Sequence, residues 1–184
     1  MTTTFLADLP GAIAARLHQL LPGLRQCEGM EGRFDLDELK SVTARAPAVL
    51  VARLGSSMPR PLAGPRWHYD LRMAAFVVTK DALGDPKRDL AAAAICQELL
   101  IRIPGTTWGL ADCGTARDVA DQSLSGSSLK ARGIALWAVT WTQPVVLEQL
   151  PAQILIPISL YVGWTPDVGA AHEADYDLIG GPDE

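Results

Sequence analysis

Few residues in this 184-residue chain have the type and spacing to do chemistry, and each admits a plainer reading. His68 and Asp70 stand two apart in an alternating segment, so both project from one face of a strand. There an imidazole and a carboxylate could share a proton or a metal ion. His18 and His172 lie in other segments, so the spacing supplies no third ligand. The plainer reading is a polar strand face, His68, Asp70 and Arg72, that pairs charges with a neighbouring strand or subunit. Cys113, in Asp112-Cys113-Gly114, is a loop cysteine beside a carboxylate, which disfavours the thiolate a nucleophile needs. Cys96 reads as a buried thiol in an apolar helix, and Cys27, Cys96 and Cys113 lie too far apart for a disulfide framework or paired metal ligands. A reducing compartment fits that usage.

Other signatures fail on their required residues. The glycines of a phosphate-binding loop and the G-x-S-x-G elbow are absent, and Gly105-Thr106-Thr107-Trp108-Gly109 follows a helix rather than opening one. Glu173, Asp175 and Asp177 alternate as in a calcium loop but lack its glycine and closing glutamate. The expectation is a protein with no cofactor, no metal and no catalytic residue. A small cytoplasmic enzyme using Cys113 or the His68/Asp70 pair is the alternative. Five tryptophans are more informative, because large rings anchor both cores and interfaces. Trp137 and Trp141 share one face of an apolar run and should pack under a helix. Trp67, Trp108 and Trp164 stand beside loops or late in the chain, where a subunit contact and the core's edge are both open readings.

Charge narrows the partners. The net charge is −5, and all 16 Lys and Arg lie at or before Arg132, against 14 acids there. The last 52 residues carry seven acids and no base. A chain of this balance is not built to grip phosphate backbones, which takes clustered Lys and Arg. The start of the chain lacks a basic region followed by an apolar run. The stretches 91–96 and 154–162 are far shorter than the roughly 20 residues needed to cross a bilayer. Neither a secretory signal nor a membrane span is expected.

The elements that must position these residues follow from periodicity. Asp8-Leu9-Pro10 reads as a helix start, and Ile13, Leu17, Leu20, Leu21 and Leu24 form one stripe of a helix running to about Leu21. Residues 27–45 read as a loop with one helical turn. Ala48 to Leu54 is a buried strand, followed by a turning loop from Gly55 to Pro65. Trp67 to Thr79 alternates most clearly: Trp67, Tyr69, Leu71, Met73, Ala75 and Val77 on one face, and His68, Asp70, Arg72, Ala74, Phe76 and Val78 on the other. Gly84-Asp85-Pro86 starts a second helix, Lys87 to Ile103, with Leu90, Ala91, Ala94, Ile95, Leu99 and Ile103 inward. Arg117 to Ser123 is weakly strand-like, and Ser123 to Ser128 is a turn. Gly133 to Thr142 is a central strand that Pro144 should end. Ile154 to Val162, interrupted by Pro157, is an edge strand or extended arm, and Asp167 to Glu184 should lack order unless a partner holds it. The fold class is therefore α+β: one mostly antiparallel or mixed β-sheet flanked by two α-helices, with an extended C-terminal arm. Residues 1–150 form the domain, and residues 151–184 the arm and acidic tail.

Four blocks carry a resemblance: Gly32-Arg33-Phe34-Asp35; Arg45 to Ala52; Ile103-Pro104-Gly105 with Trp108-Gly109-Leu110; and Arg132 to Trp141, the most specific. Together, over roughly residues 5 to 150, they resemble the small tail-morphogenesis proteins of Mu-like phages and prophages. The size and element order of that family look like those of the tail terminators of long-tailed, lambda-type phages. The resemblance implies a structural virion protein at the head-proximal end of the tail, made in the host bacterial cytoplasm. By the same resemblance it would form a homo-oligomeric ring, a hexamer closed by rotational symmetry, that caps the tail tube protein, stops polymerisation and joins a head-tail connector or head completion protein. DNA would pass through the lumen without specific binding, and no membrane is involved. Expected subunit-contact residues are Arg53, Trp67, His68, Asp70, Arg72, Trp108 and Trp164. A head-tail connector, or a host-directed protein whose acidic arm docks on a basic partner, are the other readings.

Overall fold

Leu9, Ile13 and Leu17 recur at helical spacing and are fully buried, which makes α1 (Phe5–Leu20) an amphipathic helix laid on a sheet. It starts three residues before the expected Asp8, because Phe5 and Leu6 also pack against the core. Pro10 therefore lies inside the helix, where it forfeits one backbone hydrogen bond and is buried in return. The computed structural model describes residues 5–30, 43, 45–81, 87–148, 160–162 and 177–180.

The segment after α1, expected as a loop, contains a strand, β1 (Gln26–Gly29), which runs parallel to β2 (Ala48–Ser56). Four residues are too few to show alternation, and pairing with β2 is what makes them a strand. Gly29 is required there: a Cβ on it would lie 2.4 Å from the Gly11 nitrogen of α1. β2 leads through β3 (Arg60–Pro61) into β4 (Arg66–Lys80), and β2 and β4 form a long antiparallel hairpin with a bulge between Arg53 and Gly55. α2 (Arg88–Arg102), β5 (Arg117–Ser123), α3 (Ser127–Ala131) and β6 (Ile134–Glu148) follow. The sheet order is β1-β2-β4-β6-β5, with β3 also on β4, and every pairing except β1 with β2 is antiparallel. The fold is α+β: among the described residues, one mixed sheet of six strands with the three helices named above. The third helix, α3, occupies part of the stretch expected as a turn.

Two faces divide the interior. On one, α1 and α2 cover Val49, Val51, Met73, Val77 and Trp141. On the other, among the described residues, α3 covers the end carrying Leu50, Val78 and Leu136, through Leu129. The buried stripe of α2 is Ala92, Cys96 and Leu99, continued by Ile103, and Leu90 is 66% exposed. The expected stripe holds at Leu99 and Ile103 and, half-buried, at Ile95, but Ala92 and Cys96 point inward in place of Leu90, Ala91 and Ala94: a run of four alanines gives the pattern no apolar contrast, so packing chose the face there. Gly84-Asp85-Pro86 lies outside the described residues.

β6 runs through Pro144 instead of stopping there. Pro144 sits opposite Asp70, and its carbonyl accepts from Gly114 N at 2.8 Å, so its ring nitrogen faces the side where β5, whose pairing ends at Thr142, has run out. A missing N–H at that place breaks no ladder bond.

The chain divides into two compact units, residues 1–149 and 150–184. In the second, β7 (Leu160–Val162) pairs antiparallel with β8 (Asp177–Gly180). Asp177 to Gly180 thus has regular structure where none was expected, while 154–159 and the rest of the acidic tail lie outside the described residues.

Candidate functional site

Alternation along β4 places His68, Asp70 and Arg72 on the face that α3 leaves open. Register then brings cations to Asp70 from both sides. β3 sets Arg60 opposite His68, and β5 sets Arg117 opposite Thr142, one strand beyond β4. Arg60 Nη2 donates to Asp70 Oδ2 at 2.8 Å, Arg117 Nη2 to Oδ1 at 2.7 Å, and His68 Nε2 lies 3.0 Å from Oδ1. The backbone is tied as well: Ser57 N donates to the Asp70 carbonyl at 2.8 Å, and Asp70 N donates to Ser57 Oγ at 2.9 Å. The Asp70 carboxylate therefore clips β3, β4 and β5 together, and the backbone of the same residue ties in the hairpin loop.

Burial pushes the Asp70 carboxyl up, but the hydrogen bonds from His68 and Arg117 and the charges of Arg117 and Arg60 outweigh it and hold it below its ordinary value. Such a carboxylate is a weak proton acceptor near neutral pH, which suits an ion-pair clip better than general-base work. Of the expected contact residues, His68 and Asp70 meet, and Arg72 shares their strand face. Arg60 and Arg117, which complete the cluster, are contributed by other strands, and no local signal marked them. Arg53 and Trp67 pair with Met73 and Leu147 and so project to the helix side; Arg53 is exposed and Trp67 is 37% exposed.

Trp108 is placed differently from the subunit contact expected of it. It is 7% exposed, with its ring 6.1 Å from that of Trp141. Gln143, fully buried, accepts from Trp108 Nε1 at 2.7 Å and Trp141 Nε1 at 3.2 Å, and its Nε2 donates to the Gly114 carbonyl at 2.6 Å. Trp108 takes a positive φ of 61°, uncommon for a bulky residue, with its amide on Thr106 Oγ1 at 3.1 Å. The turn is shaped to insert this indole into the core. Trp137 and Trp141 lie on the helix-covered face as expected, and Trp164 lies outside the described residues.

The thiols are shielded. Burial pushes Cys113 up to about 11, with Asp112 adding to the effect, and pushes Cys96 to about 11 and Cys27 to about 12. Cys27 Sγ also donates to the Ala14 carbonyl at 3.2 Å. Among the described residues no group of three His, Cys, Asp or Glu could hold a metal ion, and no helix is long and apolar enough to cross a membrane. On the helix side an open groove of about 490 Å³ runs between the end of α1 and α2, lined by Leu20, Leu21, Leu24, Ala91, Ala94 and Ile95 among others. All six belong to stripes expected to face inward; Leu24 is buried, and Leu21 and Ile95 pack against the edge of the core. No protein-family model matches the chain, and no curated protein does either.

Proposed function

We propose that this chain is a structural protein of a phage tail: a terminator whose copies close into a ring, cap the tail tube, stop its polymerisation and join the tail to the head. The observation that carries this reading is what the fold does with the groups an enzyme would use. His68 and Asp70 lock strands together with Arg60 and Arg117, and the described thiols are buried and raised. The reading assigns no catalytic residue, metal or cofactor.

Two further features support it. The blocks that resemble Mu-like tail proteins include the first part of β2, the first half of β6 and the turn that inserts Trp108, and the block Gly32 to Asp35 lies outside the described residues. A ring also needs two different patches on one subunit. The first unit carries the charged half-face of β4 on one side of the sheet and an apolar groove on the other. In this reading the partners are other copies, the tail tube protein and a head-tail connector or head completion protein. DNA passes through the lumen, and the ring sits at the head-proximal end of the tail after synthesis in the bacterial cytoplasm.

The test is mass measurement of the purified protein together with electron microscopy of tagged tails. A closed ring of about six copies at the head-tail junction, and overlong tubes when the protein is omitted from assembly, are expected. A monomer absent from the junction would overturn the reading. Finding the protein on tail-less heads would favour a connector, and loss of a turnover activity in His68→Ala or Cys113→Ala with assembly intact would favour an enzyme.

A further inference from the structure

α2 shows solvent more apolar surface than a solvated helix needs. Ala91, Ala94 and Ile95 line the open groove shared with Leu20, Leu21 and Leu24, and Leu90 beside them is 66% exposed. Along the border of this groove Lys87, Ala91, Ala94 and Glu98 follow one another at steps of four, three and four, which sets them on one line of the helix. That line is its own complement when reversed. Positions 87 and 98 share a midpoint with 91 and 94, so a second α2 laid antiparallel on the first sets Lys87 against Glu98 at both ends and Ala91 against Ala94 between them. The charges are available for it. Arg88 takes Asp81 and Asp89, and among the described residues no acid pairs with the exposed Lys87. Arg102 engages Glu98 through Oε2, which leaves Oε1 to accept from a second cation. The two alanines carry nothing beyond Cβ, so the helices can approach closely.

We propose that two copies of this chain pair through α2, antiparallel about a two-fold axis, with Lys87 of each on Glu98 of the other and the apolar groove borders brought together over the alanines. The occupant is a second copy because the order of charges along the line complements itself, which an unrelated partner would not require. One patch meets the same patch, so the contact is isologous and closes as a dimer. The pairing does not rest on the tail reading. Within that reading it adds regulation: a paired subunit covers its groove, one of the two patches offered to a ring, so pairs must part before a ring closes and free subunits are held back from closing one away from the tube.

The experiment uses the full chain. Sedimentation velocity of the unmodified protein should show a dimer that weakens at high salt. Lys87→Glu sets like charges against each other at both ends and should weaken pairing about tenfold or more. Glu98→Lys should do the same, and the double variant Lys87→Glu/Glu98→Lys should restore pairing, all with an unchanged circular dichroism spectrum because both side chains lie at the surface. Mild oxidation reads the geometry. A mixture of Ala91→Cys and Ala94→Cys chains should give a disulfide-linked dimer and either chain alone little, since unlike positions face each other across the axis. The native thiols are buried and do not compete. A monomer at every concentration, a double variant that restores nothing, or Ala91→Cys linking to itself overturns the pairing. Those failures leave the tail reading standing, which falls instead if the protein is missing from the head-tail junction.

Discussion

Gln143 and Asp70 lie on neighbouring strands, and each ties together segments distant in sequence, yet they do so by opposite physics. Gln143 is neutral and fully buried, and its amide engages two indoles and a backbone carbonyl. Asp70 is charged, its side chain is 20% exposed, and it holds two guanidiniums and an imidazole at the rim of the open face. A polar group in a dry core has no substitute partner when its hydrogen bond is lost, so the Gln143 knot fixes one packing of the Trp108 turn. A charge beside solvent is screened and can exchange partners with water or salt, so the Asp70 clip is weaker and open to competition from a docking surface.

That contrast can be broken by measurement. Gln143→Leu strands the indole N–H groups of Trp108 and Trp141 and the Gly114 carbonyl in the core, and should lower stability by about 3 kcal/mol in urea unfolding. A loss no larger than that of Asp70→Asn would remove the distinction. Trp108→Phe keeps an aromatic ring on Trp141 but loses the hydrogen bond and some volume, for a loss of about 2 kcal/mol by the same assay. Asp70→Asn should cost under about 1 kcal/mol, shrinking as salt is added, whereas the Gln143→Leu deficit should not respond to salt.

The smallest effect is the pH dependence. The folded Asp70 carboxyl titrates below its ordinary value, so its contribution is fully present above the unfolded carboxylate's pKa and is lost as pH falls through the lower folded one. Thermal midpoints recorded toward acid should fall in that window for the unmodified chain and for Gln143→Leu. In Asp70→Asn that part of the slope should be missing, and an unchanged slope would mean that other carboxylates govern the acid limb.

Strong local patterns survived the comparison with the structure. Alternation from Trp67 to Thr79 identified β4, assigned its two faces, and placed His68 and Asp70 side by side. β6 was visible from its apolar run, but its length was not, because Pro144 reads as a stop unless one knows that β5 no longer lies beside it. β1 was missed because Gln26 to Gly29 becomes a strand only against β2. On α2 the expected face holds at Leu99 and Ile103 but not along Ala91 to Ala94, which offer no contrast and leave Ala91 and Ala94 beside a surface groove.

Taken alone, then, the sequence determined the α+β class, the long central strands and the shared face of His68 and Asp70, since these depend on periodicity within a few residues. The tertiary structure alone decided that Arg60 and Arg117 converge on Asp70, that Gln143 joins Trp108 to Trp141, and that Trp108 belongs to the core. Such contacts depend on strand order and register, which bring together residues far apart along the chain, and no pattern within a segment encodes which strand will lie next to it.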